Sequence, residues 1–245
     1  MRYQEFERIV SEERMRRYVE ACEGDTRKAM TLYHYNIELS QALFAIICHF
    51  EVALRNAIDA ILQLQLGNEW LKTAATLGGI FDTPSTQKEF NDISKAYNKL
   101  LSKTEYSHSQ LLASMGFGFW KYCFSPVQYR LLARTLLRVF PDKPRSSAQR
   151  QYNNIYIYNE LDHVNKLRNR IAHHEPICFV THQASITTEY ARSEYQRMMT
   201  LLSWMGIDSE KLVTREDKVE AICKKIEKLS ASIKTGPTSL TRVRG

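Results

Sequence analysis

Residues 26–66, TRKAMTLYHYNIELSQALFAIICHFEVALRNAIDAILQLQL, contain neither glycine nor proline. Within them Leu43, Ile46, Ile47, Phe50, Leu54, Ile58 and Leu62 recur at intervals of three and four, the spacing that keeps apolar groups on one side of a helix. The reading is one very long helix, or two nearly continuous ones. Gly67 closes it, Trp70 anchors the exit, and Asp25 is a candidate N-cap at its start.

The same pattern extends in both directions. Residues 3 to 22 read as a charged helix. Gly78-Gly79 and Asp82-Thr83-Pro84 make 72–84 the clearest loop and a possible sub-boundary. A helix follows from about Ser85 to Ser102. Ser107 to Tyr122 is apolar and aromatic, and its Gly116 and Gly118 either kink a helix or admit a close neighbour. Ser125-Pro126 caps a helix expected to reach Val139, and Phe140-Pro141-Asp142-Lys143-Pro144 breaks it. Helices are then expected over 146–174, 185–205 and 208–229. No alternating run argues for a sheet, so the expected fold is all-α, one helical domain over 1–234. The remaining residues 235–245 hold Gly236-Pro237, Arg242 and Arg244 and no acid, and read as a basic, disordered tail.

Composition narrows the function classes. Charged and apolar fractions are ordinary for a globular protein, which argues against disorder. The most apolar run, Ala42 to His49, is too short to cross a bilayer, and no signal peptide opens the chain, so no membrane role is expected. Five scattered cysteines without a Cys-x-x-Cys pair fit a reducing cytoplasm and argue against a zinc module; no metal or cofactor is expected. The net charge is +7, and residues 121–150 alone carry an excess of six positive charges through Lys121, Arg130, Arg134, Arg138, Lys143, Arg145 and Arg150 against Asp142. Such a local excess points to a polyanion, nucleic acid before membrane. Arg130, Arg134 and Arg138 would form one stripe on a helix: a solvated face, or an RNA contact.

The densest chemistry lies in Leu167-Arg168-Asn169-Arg170-Ile171-Ala172-His173-His174-Glu175-Pro176. Upstream, Ile157, Leu161, Val164 and Ile171 mark an apolar face, and Asp162, Asn165, Asn169 and His173 a polar stripe beside it. Pro176 ends the helix near His174, where the helix dipole favours a cation. Metal-free RNA cleavage needs a base for the 2′-hydroxyl, an acid for the 5′-oxygen and positive charge on the phosphate. Histidine can serve as acid or base near neutrality, arginine holds two phosphate oxygens, and an asparagine amide orients either. Arg168, Asn169 and His173 supply that set. On an ideal helix Arg168 and His173 stand roughly 140° apart, so the arginine reaches round, or the helix ends early, or a second subunit completes the site; the last is favoured.

Arg168-Asn169-x-x-x-His173 resembles the motif of the HEPN ribonuclease superfamily, helical bundles that dimerise into a metal-independent RNA-cleaving site. With Leu32-Tyr33-x-Tyr35-Asn36, Glu51-x-x-x-Arg55-Asn56-Ala57-Ile58 and Phe117-Gly118-Phe119-Trp120, the chain resembles the bacterial Abi-like family of abortive-infection proteins, the AbiD and AbiF group, over about residues 10 to 210. Tyrosine stands at position 35 where the family suggests tryptophan. The resemblance implies a HEPN-like bundle with additional helices and an endoribonuclease in phage defence or a toxin–antitoxin pair. Its implied partners are substrate RNA, a restraining non-coding RNA, an antitoxin or a phage trigger, and a second copy. It carries Arg168, Asn169 and His173 over as catalytic and His174 as supporting. Glu51, Arg55 and Asn56 match a further charged cluster: either Glu51 and Arg55 form an intrahelical ion pair, or the cluster orients Arg168 or His173. Arg130, Arg134, Arg138, Lys143, Arg145 and Arg170 are candidate RNA contacts. The rival readings are a non-catalytic module holding a cognate small RNA and a phage-sensing interaction protein.

Overall fold

The computed structural model describes residues 1–102, 106–215 and 217–234; the expected tail at 235–245 lies outside them. The fold is all-α. Its helices are α1 (Tyr3–Val10), α2 (Glu12–Ala21), α3 (Thr26–Leu66), α4 (Trp70–Ala74), α5 (Gln87–Leu101), α6 (His108–Ser114), α7 (Phe117–Tyr122), α8 (Pro126–Leu131), α9 (Asn154–Ala172), α10 (Glu189–Trp204), α11 (Ser209–Val213) and α12 (Val219–Lys234), with 3-10 turns at Pro84–Thr86 and Leu136–Val139. The one extended pairing among the described residues is an isolated bridge, Phe179 to Ile186.

The long helix is continuous through all of 26–66. Asp25 caps it, its carboxylate accepting from the Arg27 and Lys28 amides. Gly67 ends it at φ +89, a conformation a side chain rarely adopts. Leu43, Ile46, Ile47, Phe50, Leu54, Ile58 and Leu62 are all buried, as their spacing predicts. By length and composition alone α3 could cross a membrane, its most apolar 18-residue window having a mean hydropathy of 1.6, and 39% of that window is buried in protein here.

The described residues form two compact units, 1–46 with 170–196, 215 and 217–234, and 47–102 with 106–169 and 197–214. In the first, Phe6, Met15, Tyr18, Leu32, Phe179 and Ile226 are core residues. Tyr18 meets Phe179 edge to face at 5.0 Å and Tyr33 at 5.4 Å. Buried Asn36 accepts a hydrogen bond from the Ile177 amide at 2.8 Å, which holds the segment after α9 against α3. The expected helix over 3–22 is two, broken at Ser11 (φ +86), whose hydroxyl caps α2 through the Arg14 amide.

The second unit is built on Phe50, Trp70, Phe81, Trp120, Phe124, Phe140 and Leu161. Trp70 is buried and donates to Asp59 at 2.7 Å, the exit anchor expected of it. The loop at 72–84 lies wholly within this unit, closed by the Phe81 amide on the Ala74 carbonyl. Gly79 is required there, because a Cβ would stand 2.4 Å from the Thr73 carbonyl oxygen. On α9 the apolar face is Ile157, Leu161, Val164 and Leu167, all fully buried. Ile171, expected on that face, is half-buried.

Candidate functional site

In the second unit, Arg168 and Asn169 project from α9 and Glu51, Arg55 and Asn56 from α3. Their positions follow from the apolar stripes: burying Leu54 and Leu167 places Glu51 and Arg168 at the edge of the core, each half-buried, while Asn56 and Asn169 are exposed. Burial pushes the Glu51 carboxyl above its ordinary value, and the positive charge of Arg168, then that of Arg55, draws it partly back. Cys48, one turn before Glu51, feels the same pair in opposite senses: burial and then Glu51 raise its thiol, and Arg168 lowers it. Arg168 is therefore the strongest charge acting on Glu51. Among the described residues it closes no ion pair with any carboxylate.

In the first unit, the chain leaves α9 through a Schellman turn. The His174 amide donates to the Ile171 carbonyl at 3.0 Å and the Glu175 amide to the Arg170 carbonyl at 2.8 Å. His173 is thereby the C-cap and His174 the left-handed residue, at φ +56, where glycine is usual. Both imidazoles are exposed. Arg14 of α2 donates to the His174 carbonyl at 2.8 Å, a carbonyl that the helix itself cannot satisfy. A cleft of about 420 Å³ opens there, with Arg14, Arg16, His173 and His174 on its walls.

Arg170, expected among the RNA contacts, is engaged within this turn. Its guanidinium donates to the Pro176 carbonyl, lies 3.5 Å from the Glu175 carboxylate and stacks on Tyr190 at 4.7 Å. The arginine stripe also changes. α8 stops at Leu131, and Ala133 and Arg134 turn left-handed at φ +55 and +60 before a 3-10 turn begins. Arg130, Arg134 and Arg138 stay exposed, but not as one helical row; Arg145 is exposed and Lys143 half-buried. No glycine marks that break, so its sequence carries no signal for it.

Two contributors escaped the motif reading. Lys121, 5% exposed, bonds Asp162 at 2.8 Å, and Lys166 bonds the other carboxylate oxygen at 2.8 Å, so this part of the polar stripe is a structural ion cluster. Arg14 was read as one charge in an N-terminal helix. Its spacing from Ser11 marks an N-cap, but nothing in the sequence pairs it with a residue 160 positions away.

A family model described as Abi-like protein matches residues 1–178. Comparison with curated proteins and with solved structures finds no match.

Proposed function

Given that this chain belongs to the Abi-like protein family, we propose that it acts in abortive infection as a metal-independent endoribonuclease of the HEPN type. The observation that supports this most is Arg168: it is held in place by the α9 core face, acts on Glu51 through space, and closes no ion pair among the described residues. A half-buried arginine that closes no ion pair keeps its guanidinium available for a phosphate.

In the proposed reaction a base removes the 2′-hydroxyl proton and the 2′-oxygen attacks the adjacent phosphorus. The bond from phosphorus to the 5′-oxygen breaks, and that oxygen leaves with a proton from an acid. The products are a 2′,3′-cyclic phosphate and a 5′-hydroxyl. His173 takes the acid/base role, Arg168 neutralises the charge gathering on the phosphate, and Asn169 orients the strand. A second copy supplies the complementary acid or base. Glu51 sets the direction of Arg168, the His174 imidazole supports His173 from the next position, and the exposed Arg130, Arg134, Arg138 and Arg145 bind the strand outside the centre.

The test incubates wild type and His173→Ala with end-labelled mixed-sequence RNA in EDTA and reads fragment size and end chemistry. Cyclic-phosphate fragments from the wild type alone are the expected result. Intact RNA that shifts in a gel would transfer the assignment to a non-catalytic RNA-binding module.

A further inference from the structure

Gly116 and Gly118 have no packing reason to be glycine. A Cβ built at either position meets nothing within 4 Å, so neither admits a close neighbour, and neither holds a left-handed φ. Gly118 lies inside α7, where glycine is a poorer helix former than every residue but proline. Both border open space, a cleft of about 600 Å³ in the second unit between α5 and the α6–α7 segment. That volume suits a small organic ligand.

The walls of the cleft have three distinct chemistries. Met115, Leu100 and the half-buried rings of Phe119 and Tyr122 give it an apolar and aromatic side. Lys88, Lys95 and Lys99 stand exposed at its rim on α5, three cations against the one exposed carboxylate of Asp92, and among the described residues Lys95 and Lys99 form no ion pair. Glu89 lines it as well, although it is only 8% exposed. The Glu89 Oε1 accepts from Gln128 Nε2 at 3.0 Å, and among the described residues no cation pairs with this carboxylate. Its Oε2 has no hydrogen-bond partner among the described residues and is not sealed from solvent, so the carboxylate keeps an acceptor edge open to N–H donors.

A ligand that answers all three is planar, offers adjacent N–H groups on one edge and carries an anion within reach of lysines. A nucleotide fits that description, and among the common bases guanine places two N–H donors side by side for one carboxylate. We propose that this cleft binds a guanine nucleotide: Glu89 takes the base edge, Phe119 the base face, and Lys95 and Lys99 the phosphate, while Tyr122 is engaged by Lys88 and Lys121. A free guanine nucleotide and an unpaired guanosine of an RNA strand share this chemistry. The proposal does not depend on RNA cleavage, since no residue of the cleft belongs to the Arg168 and His173 set.

The experiment is titration calorimetry of the full chain with GMP, AMP, CMP and UMP. The expected result is GMP binding at least tenfold tighter than the other three. Gly118→Leu, whose side chain enters the open space, abolishes GMP binding with a thermal midpoint no lower than that of the wild type. Glu89→Gln reduces the preference for GMP at least tenfold, because an amide nitrogen then faces the base donors. A second variant on the exposed rim, Lys95→Glu with Lys99→Glu, weakens GMP binding and reduces its salt dependence. Short oligo-G and oligo-U strands are titrated into the His173→Ala chain; oligo-G binding more than tenfold tighter than GMP assigns the cleft to RNA, and equal affinity assigns it to free nucleotide. Millimolar GMP without binding, or Gly118→Leu binding as well as wild type, overturns the proposal. Cleavage by the His173→Ala chain would instead count against the ribonuclease assignment and leave this one standing.

Discussion

His174 occupies a left-handed backbone position at the end of α9 where glycine is usual and where histidine is tolerated better than most side chains. Such strain persists where neighbours hold it, and here the Arg14 guanidinium and the two turn hydrogen bonds do so. His174→Gly is expected to raise stability by about 0.5–1 kcal/mol in urea unfolding and to lower RNA cleavage; a variant that is both more stable and fully active would make the imidazole dispensable. Glu51 separates the two readings of its cluster. Because burial raises its folded-state pKa above the ordinary 4.5, ionisation of Glu51 opposes folding, and the stability it withholds grows as pH rises from that value through the folded one. Glu51→Gln should therefore not destabilise the protein at pH 7, should remove that part of the pH slope, and should reduce cleavage if Glu51 orients Arg168. Had Glu51 served as an intrahelical partner of Arg55, the same change would cost about 0.2–0.5 kcal/mol. The motif residues were legible in the sequence as chemistry. The dominance of Arg168 over Arg55 as the charge acting on Glu51 was not, because it depends on how α9 lies along α3.

At the scale of elements, the helices followed from apolar periodicity, and their ends followed where a cap was written in the chain. α9 begins at Asn154 rather than near Ser146, since the Asn153 side chain accepts from the Tyr156 amide and the Ser146 hydroxyl holds the Tyr152 amide in a turn. That cap is legible in the sequence as an asparagine just ahead of the apolar periodicity of α9. The end of α8 was not readable, because Ala133 and Arg134 adopt left-handed conformations for which neither residue is suited. Two contacts bind elements together strongly enough to test. Asn36→Ala would leave the buried Ile177 amide without an acceptor, at an expected cost of about 1–3 kcal/mol in denaturant unfolding. Asp162→Asn would strand buried Lys121, at a cost of about 3 kcal/mol. Burial alone would raise the Asp162 carboxyl, but the hydrogen bonds and charges of Lys121 and Lys166 hold it below the ordinary 3.8. Its contribution is thus complete above that value and is lost as pH falls through the lower, folded-state one, so the variant should show a flatter acid limb.

At the scale of the molecule, the division between the two units falls between Asn169 and Arg170, inside the Arg168 to His173 motif. If the site is composite, activity per chain should fall on dilution in parallel with dissociation of a dimer seen by sedimentation, whereas specific activity that stays constant into the monomer range would make one chain sufficient. The sequence by itself determined that the chain is helical, that 26–66 is helical throughout as one helix or two nearly continuous ones, and that arginine, asparagine and histidine gather at the end of another. Those are properties of spacing and of residue type, and a helix expresses them within a few turns. The tertiary structure alone decided that Arg168 acts on Glu51, that Arg14 holds the His174 carbonyl from 160 residues away, that Arg170 is engaged in its own turn, and that open space lies beside Gly118. Each of these depends on which distant segments the buried faces bring side by side, and spacing along one segment carries no record of that.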